Sequence, residues 1–273
     1  MKQLIILLIS LTISLQVSAQ DDSTQKKIPV KIRHAEPLYM DLIRDLGARK
    51  GEKEWNVGYG IEGHKDYTVN HAFVEYEFSP LNRLGLEVEV PFSFYTSSSR
   101  DESAVIPRNR VEGLKLAAQY TFLVSPKHQM SMAAGYMHEF RTHSFYSIDR
   151  GRGMLKGNSM SPFLIVAKKF GKRINTMVYT GPEWEFTPSE GKRELFYQLN
   201  ASAHYVLPSG NFVGMEVNDE FGLGSNQMVF RPQMKLILSQ NLALGLVTGI
   251  PVSFQDNGMS FMARIIYEPR KRK

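Results

Sequence analysis

The stretch LGLEVEVPFSF, Leu84 to Phe94, decides the fold. Leu84, Leu86, Val88, Val90, Phe92 and Phe94 are all apolar, and between them stand Gly85, Glu87, Glu89, Pro91 and Ser93. Side chains alternate across a strand, so one face of this one is apolar and the other carries carboxylates. The run is longer than the usual five or six residues of a globular strand. It matches the roughly 9–11 residues that a tilted strand needs to cross a bilayer.

Working outward, the same period recurs. FVEYEF sets Val74, Tyr76 and Phe78 against Glu75 and Glu77, and RVEGLKLAAQYTF sets Leu114, Leu116, Ala118, Tyr120 and Phe122 against Gly113, Lys115, Ala117 and Gln119. ELFYQLNASAHYVL places Leu195, Tyr197, Leu199, Ala201, Ala203, Tyr205 and Leu207 opposite Gln198, Asn200, Ser202 and His204. RPQMKLIL, LALGLVTGIPVSF and MSFMARIIY continue the pattern toward the C-terminus. About twelve strands are predicted, near 55–63, 68–78, 84–95, 110–122, 129–141, 159–169, 174–186, 194–207, 212–222, 227–238, 242–253 and 259–268. No long helix interrupts them, which argues against parallel βαβ units.

The connections are sorted by side. SPLNR, VSPKH, GKR, PSGN and SQN are tight turns of Pro, Gly, Asn and Ser. Two of the intervening connections, TSSSRDESAVIPRN from Thr96 and THSFYSIDRGRGMLKG from Thr142, are long and polar. Short turns on one side and longer loops on the other is the sidedness of an outer-membrane β-barrel, and an even strand count puts both termini on the short-turn, periplasmic side. Tyr59, Tyr95, Phe122, Phe140, Phe170, Trp184, Phe212 and Tyr267 fall near strand ends and suit an interfacial girdle. A soluble β-sandwich has shorter strands and no reason to sort its turns by parity. The expected fold is therefore all-β, an antiparallel transmembrane barrel over residues 55–268.

The N-terminus reads as a signal peptide over 1–19. Lys2 precedes an apolar run, Leu4 to Leu15, which closes on Val17-Ser18-Ala19 and is too short for a spanning helix. There is no cysteine, which excludes disulfides and thiolate metal sites. The net charge is +6; setting aside Lys2 and the four cations Arg270 to Lys273 leaves +1, so the basic character is mostly a terminal tail (269–273) and no nucleic-acid face is expected.

Residues 20–54 stand apart. A polar leader is followed by HAEPLYMDLIRDLGARKGEKEW, His34 to Trp55, in which Leu38, Leu42 and Leu46 recur every four residues between Pro37 and Gly47. That spacing predicts a short helix with one apolar stripe. A helix of that length is marginal alone, so it has to lie against something.

On the strand faces so assigned, the ionisable residues that line the lumen are Glu75, Glu77, Glu87, Glu89, Lys115, Glu139, Arg141, Glu183, Glu185, His204, Glu216, Glu220, Arg231, Lys235 and Arg264. They read either as a paired, solvated network or as a transverse field that selects among charged solutes. The carboxylate pairs Glu87/Glu89 and Glu183/Glu185 have no sugar-stacking cleft around them, and the His143–Ser144 neighbours lack a supporting catalytic context. No catalytic residue, metal site or cofactor is expected.

The segment HAEPLYMDLIRDLGARKGEKEW resembles the signature of a Bacteroidetes family named for its HAEPLYID sequence, with Met40 where that name has Ile. The resemblance is dense over 34–58 and looser to LGLEVEVPFSFY. It implies an exported protein of a Gram-negative envelope and supplies no catalytic residues. The combined expectation is a passive outer-membrane channel for small solutes, with outer-membrane lipid around it and the Leu38, Leu42, Leu46 helix as a plug. The alternatives are a membrane-anchored interaction protein, whose N-terminal segment docks a periplasmic partner, and, further off, a lipid-acting barrel enzyme.

Overall fold

The computed structural model describes residues 29–40, 42–99, 103–151, 153–188, 191–222, 225–253 and 257–269. The expected signal peptide over 1–19, Asp41 and the Arg270–Lys273 tail lie outside them.

The strands are β1 (Lys53–His64), β2 (Tyr67–Leu81), β3 (Leu84–Ser97), β4 (Arg110–Val111), β5 (Gly113–Ser125), β6 (Met130–Thr142), β7 (Leu155–Phe170), β8 (Ile174–Thr187), β9 (Lys192–Val206), β10 (Phe212–Gly222), β11 (Ser225–Ile237), β12 (Leu242–Pro251) and β13 (Asn257–Tyr267). Apart from β4 and β5, each pairs antiparallel with its sequence neighbours, and β1 closes on β13 with Trp55 opposite Tyr267. β4 and β5 both pair with β3 and together form one stave, so the wall is a closed barrel of twelve. Closure leaves no edge with unpaired backbone groups. A single-turn helix, α1 (Phe145–Asp149), sits in the long β6–β7 connection. There Ser144 caps it by accepting from the Ser147 N–H, so the His143–Ser144 pair reads as a helix start.

Proline marks four of the interruptions of the ladder, because it has no N–H to give. The β2–β3 register shifts between Phe78 and Leu81, around Pro80. The β3 pairing passes from Glu89↔Lys115 to Phe92↔Val111 around Pro91, whose carbonyl accepts the bulged Glu112 N–H at 2.8 Å. β7–β8 pairing skips from Met160↔Trp184 to Leu164↔Thr180, where Pro162 and Pro182 face each other. β11–β12 skips likewise around Pro232.

The polarity is inside out. Val74, Val88, Leu116, Tyr197, Leu199, Tyr205 and Ile265 are exposed on the outer wall, while Glu75, Glu77, Glu87, Gln119, Asn200 and His204 are buried within. A soluble barrel would show the reverse. Tyr59, Phe122, Phe170, Trp184 and Tyr267 are exposed outside, as a girdle requires. Phe212 corrects that expectation: it points inward, 3 % exposed, with its ring 4.5 Å from that of His204.

Candidate functional site

Residues 29–52 run inside the barrel and cross it from wall to wall. The expected helix is not there: the described residues between Pro37 and Gly47 form bends and turns, with Arg44 at φ +66° and Gly47 at φ +81°. The reason lies in where the backbone N–H groups go. A helix would satisfy them internally, but here the wall supplies the acceptors. Ala35 N–H donates to Asn175 Oδ1 (3.2 Å), Leu38 N–H to Gln233 Oε1 (2.6 Å) and Met40 N–H to Glu216 Oε1 (2.9 Å). Arg44 N–H donates to Glu77 Oε2 (2.7 Å) and Gly47 N–H to Thr121 Oγ1 (2.9 Å). Gln119 Nε2 returns a bond to the Arg44 carbonyl at 2.9 Å. These partners come from β8, β11, β10, β2 and β5, so the anchors encircle the segment.

The three leucines are buried as the apolar stripe demands, though without a helix to align them. Leu38 packs with Phe212, Ala243, Val247 and Ile266. Leu42, Ile43 and Leu46 pack on the other side with Ala117, Ala133, Phe163, Ile165, Ala167, Met177 and Tyr179. Two apolar patches on a lumen wall that is otherwise polar are thereby covered. Gly85 admits this approach, since a Cβ there would collide with the Ile43 carbonyl oxygen.

A charged knot ties the segment down. Arg44 reaches Glu54 at 2.7 Å and Glu77 at 3.7 Å, and Lys31 pairs with Asp45 and with Glu52 (2.9 Å). Burial opposes the charge on Arg44, yet Asp45, Glu54 and Glu77 raise its pKa. Burial likewise opposes ionisation of Asp45, and Lys31 and Arg44 outweigh it and hold the carboxyl well below the usual range. Burial and the neighbouring Asp45 push Glu36 up. His34, within 3.0 Å of Ser131 Oγ, is lowered to about 4 by burial, with Lys169 adding to the effect.

The ionisable residues expected in the lumen all lie on inward-facing strand positions, and most are paired. Arg264 contacts Glu75 (3.0 Å) and Glu77 (3.8 Å), with Asn56 bridging at the β1–β13 seam. Lys115 contacts Glu89 at 3.0 Å, and Arg141 pairs with Glu185. Glu183 accepts from Gln198, and Glu216 accepts from Asn218 (2.7 Å) and Gln233 (3.0 Å). Arg231 donates to Asn218 and lies 3.3 Å from the centre of the Tyr39 ring, which the segment presents to it. Lys235 lies at the short-turn mouth.

Sequence reasoning missed Glu54, because the first strand was expected to begin one residue later. It missed Asn56, Gln119, Thr121, Asn175 and Gln233 as anchors because uncharged polar residues carry no signal of what they bind. A signal for the apolar wall does exist. PFLIVAKKF, Pro162 to Phe170, is apolar on both faces, with Phe163, Ile165 and Ala167 inside. In a polar lumen such a strand calls for a cover.

The segment divides the lumen into two chambers. The outer one, about 410 Å³, is floored by Leu38, Tyr39 and Met40. The other, about 840 Å³, opens at the end that carries the tight turns and is bounded by Ala35, Glu36 and Asp45 of the segment.

A closed barrel with an apolar exterior, a charged interior and a chain segment across its lumen has the architecture of a membrane-spanning β-barrel. The chain belongs to the HAEPLYID-like family, whose model matches residues 30–268. No curated protein matches it. Its fold is similar to the COG4313 outer membrane channel from Pseudomonas putida F1, at TM-score 0.67 and 13 % identity, covering 82 % of this chain and 98 % of that one. It is also similar to the NanC porin (TM-score 0.57, 9 % identity, 79 % and 100 % covered) and the KdgM porin (TM-score 0.53, 13 % identity, 79 % and 99 % covered).

Proposed function

We propose that the protein is an outer-membrane channel for small solutes whose passage is controlled by residues 29–52. The observation that carries this reading is the seating of that segment: four apolar side chains, Leu38, Leu42, Ile43 and Leu46, are each 1–2 % exposed between two chambers of an otherwise polar lumen. The twelve staves close by backbone pairing alone, so the segment is not required to complete the wall. The likeness in fold to an outer membrane channel and two porins supports the same direction. The wall binds outer-membrane lipid, and the cargo is a small solute. The channel needs no chemistry of its own, so the reading assigns no catalytic residue and no cofactor.

Reconstitution into liposomes tests it. Swelling in small sugars and amino acids is expected to be slow with the full chain and fast with the variant Leu38→Asp, Leu42→Asp, Leu46→Asp. Equal, negligible swelling of both folded proteins would remove the channel. It would favour the reading in which the segment docks a periplasmic protein.

A further inference from the structure

The two chambers carry opposite fixed charge. Among the described residues lining the outer one there are seven carboxylates against Lys115, Arg231 and Arg264, a surplus of four negative charges. The chamber at the short-turn mouth is lined by seven Lys and Arg against four acids, a surplus of three positive. The segment is not the source of this asymmetry. Its own formal charges in the second chamber balance, with Lys31, Arg33 and Arg49 against Glu36, Asp45 and Glu52. The wall alone supplies Lys53, Lys169, Lys172 and Lys235 against Glu268. In the outer chamber the described residues of the segment are Leu38, Tyr39 and Met40, all uncharged.

We infer that the open lumen is a bipolar pore that passes current more readily in one direction than the other. The inference rests on the channel reading and specifies its ion selectivity. A negative zone concentrates cations, and a positive zone concentrates anions. When the extracellular side is positive, cations enter through the outer zone and anions through the inner one. Both accumulate where the zones meet, and conductance is high. With the voltage reversed, both are drawn out of that junction and conductance falls. Displacing the segment preserves the effect. It leaves the outer-chamber carboxylates and the four wall lysines in place.

Single-channel currents in planar bilayers test this, using the full chain and the triple Leu→Asp variant at equal and opposite voltages. The expected result is a current ratio of about twofold or more in dilute salt. It should fall toward unity in molar salt, as the screening length shrinks from about 30 Å to about 3 Å. Lys53→Gln, Lys169→Gln, Lys172→Gln together should abolish the asymmetry and leave a cation-preferring pore. Glu62→Gln, Glu139→Gln, Glu183→Gln should abolish it and leave an anion-preferring one. The heat-modifiable gel shift of each variant confirms a closed barrel. Symmetric currents through a conducting pore in dilute salt overturn the bipolar lumen and leave the channel standing. Absence of current from both the full chain and the triple variant overturns both.

Discussion

The wall and the segment inside it are held by different means. In the wall, backbone pairs with backbone, and the staves repeat one rule, apolar outward and mostly polar inward, with β7 the exception that is apolar on both faces. In the described residues of 29–47 the backbone donates to side chains of five different strands, and no local rule sets its path. The wall is therefore a structure that the chain dictates locally, whereas the segment takes the shape of the cavity that the wall provides. The difference predicts that the segment leaves its site without unmaking the barrel.

The largest expected effect separates the two regions outright. Val88→Arg puts a charge on the outer face of β3, where it costs on the order of 2–4 kcal/mol at the bilayer midplane, and should abolish insertion. Glu87→Gln, one residue along on the inner face, should leave the heat-modifiable barrel intact. Similar loss in both would mean that the two faces of β3 are not what their exposures indicate.

A smaller effect is expected at Gly85. Gly85→Ala drives a methyl group toward the Ile43 carbonyl and presses against Arg44, so the segment should be dislodged while the wall persists. Liposome swelling should rise toward that of the triple Leu→Asp variant, with unchanged gel mobility. Swelling at the level of the unmodified chain would show that the close approach at Gly85 does not hold the segment.

Smaller still is the loss of one anchor. Glu216→Gln weakens the acceptor for the Tyr39 and Met40 N–H groups, contacts to a charged group that are worth about 1.5–3 kcal/mol. A few-fold rise in the open fraction of single-channel recordings is expected, well below the effect of removing the leucines.

The least effect concerns pH. His34 has its pKa lowered to about 4 when the segment is seated, against 6.5 when free. The seated form therefore favours the neutral ring. Its contribution is complete above the free value and is lost as pH falls from 6.5 toward 4. Glu36, raised by burial, acts in the opposite sense and favours seating at low pH. The comparison that isolates the histidine is His34→Gln: acidification should open the unmodified channel more than the variant. Identical pH profiles would remove His34 from the balance.

How much was legible follows the same division. Alternation from Leu84 to Phe94 assigned β3 with both faces correct, and the expected strand bounds lie within a few residues of those observed because turn chemistry marks both ends. Inward placement of Glu75, Glu87, Lys115 and Arg264 came with it, since the period of two is set by backbone geometry alone. The segment was read from the spacing of Leu38, Leu42 and Leu46, which is helical, and the burial of those residues agrees with it. The helix does not form. A periodicity records which side chains are covered, whereas a helix also needs its N–H groups to prefer their own carbonyls over Gln233, Glu216, Glu77 and Thr121. Those competitors lie 33 to 195 residues away in sequence and are invisible to any local window.

The seating of the segment is the central claim, and the absence of native cysteine allows it to be measured without a current. Ala133 lies on the inner face of β6, fully covered in the cluster that holds Leu42, Ile43 and Leu46. Ala133→Cys in the full chain should resist a bulky, membrane-impermeant maleimide. The same cysteine should be labelled rapidly when residues 29–47 are deleted or the three leucines are changed to Asp. Prompt labelling of Ala133→Cys in the otherwise unmodified, folded barrel would contradict a segment lodged across the lumen.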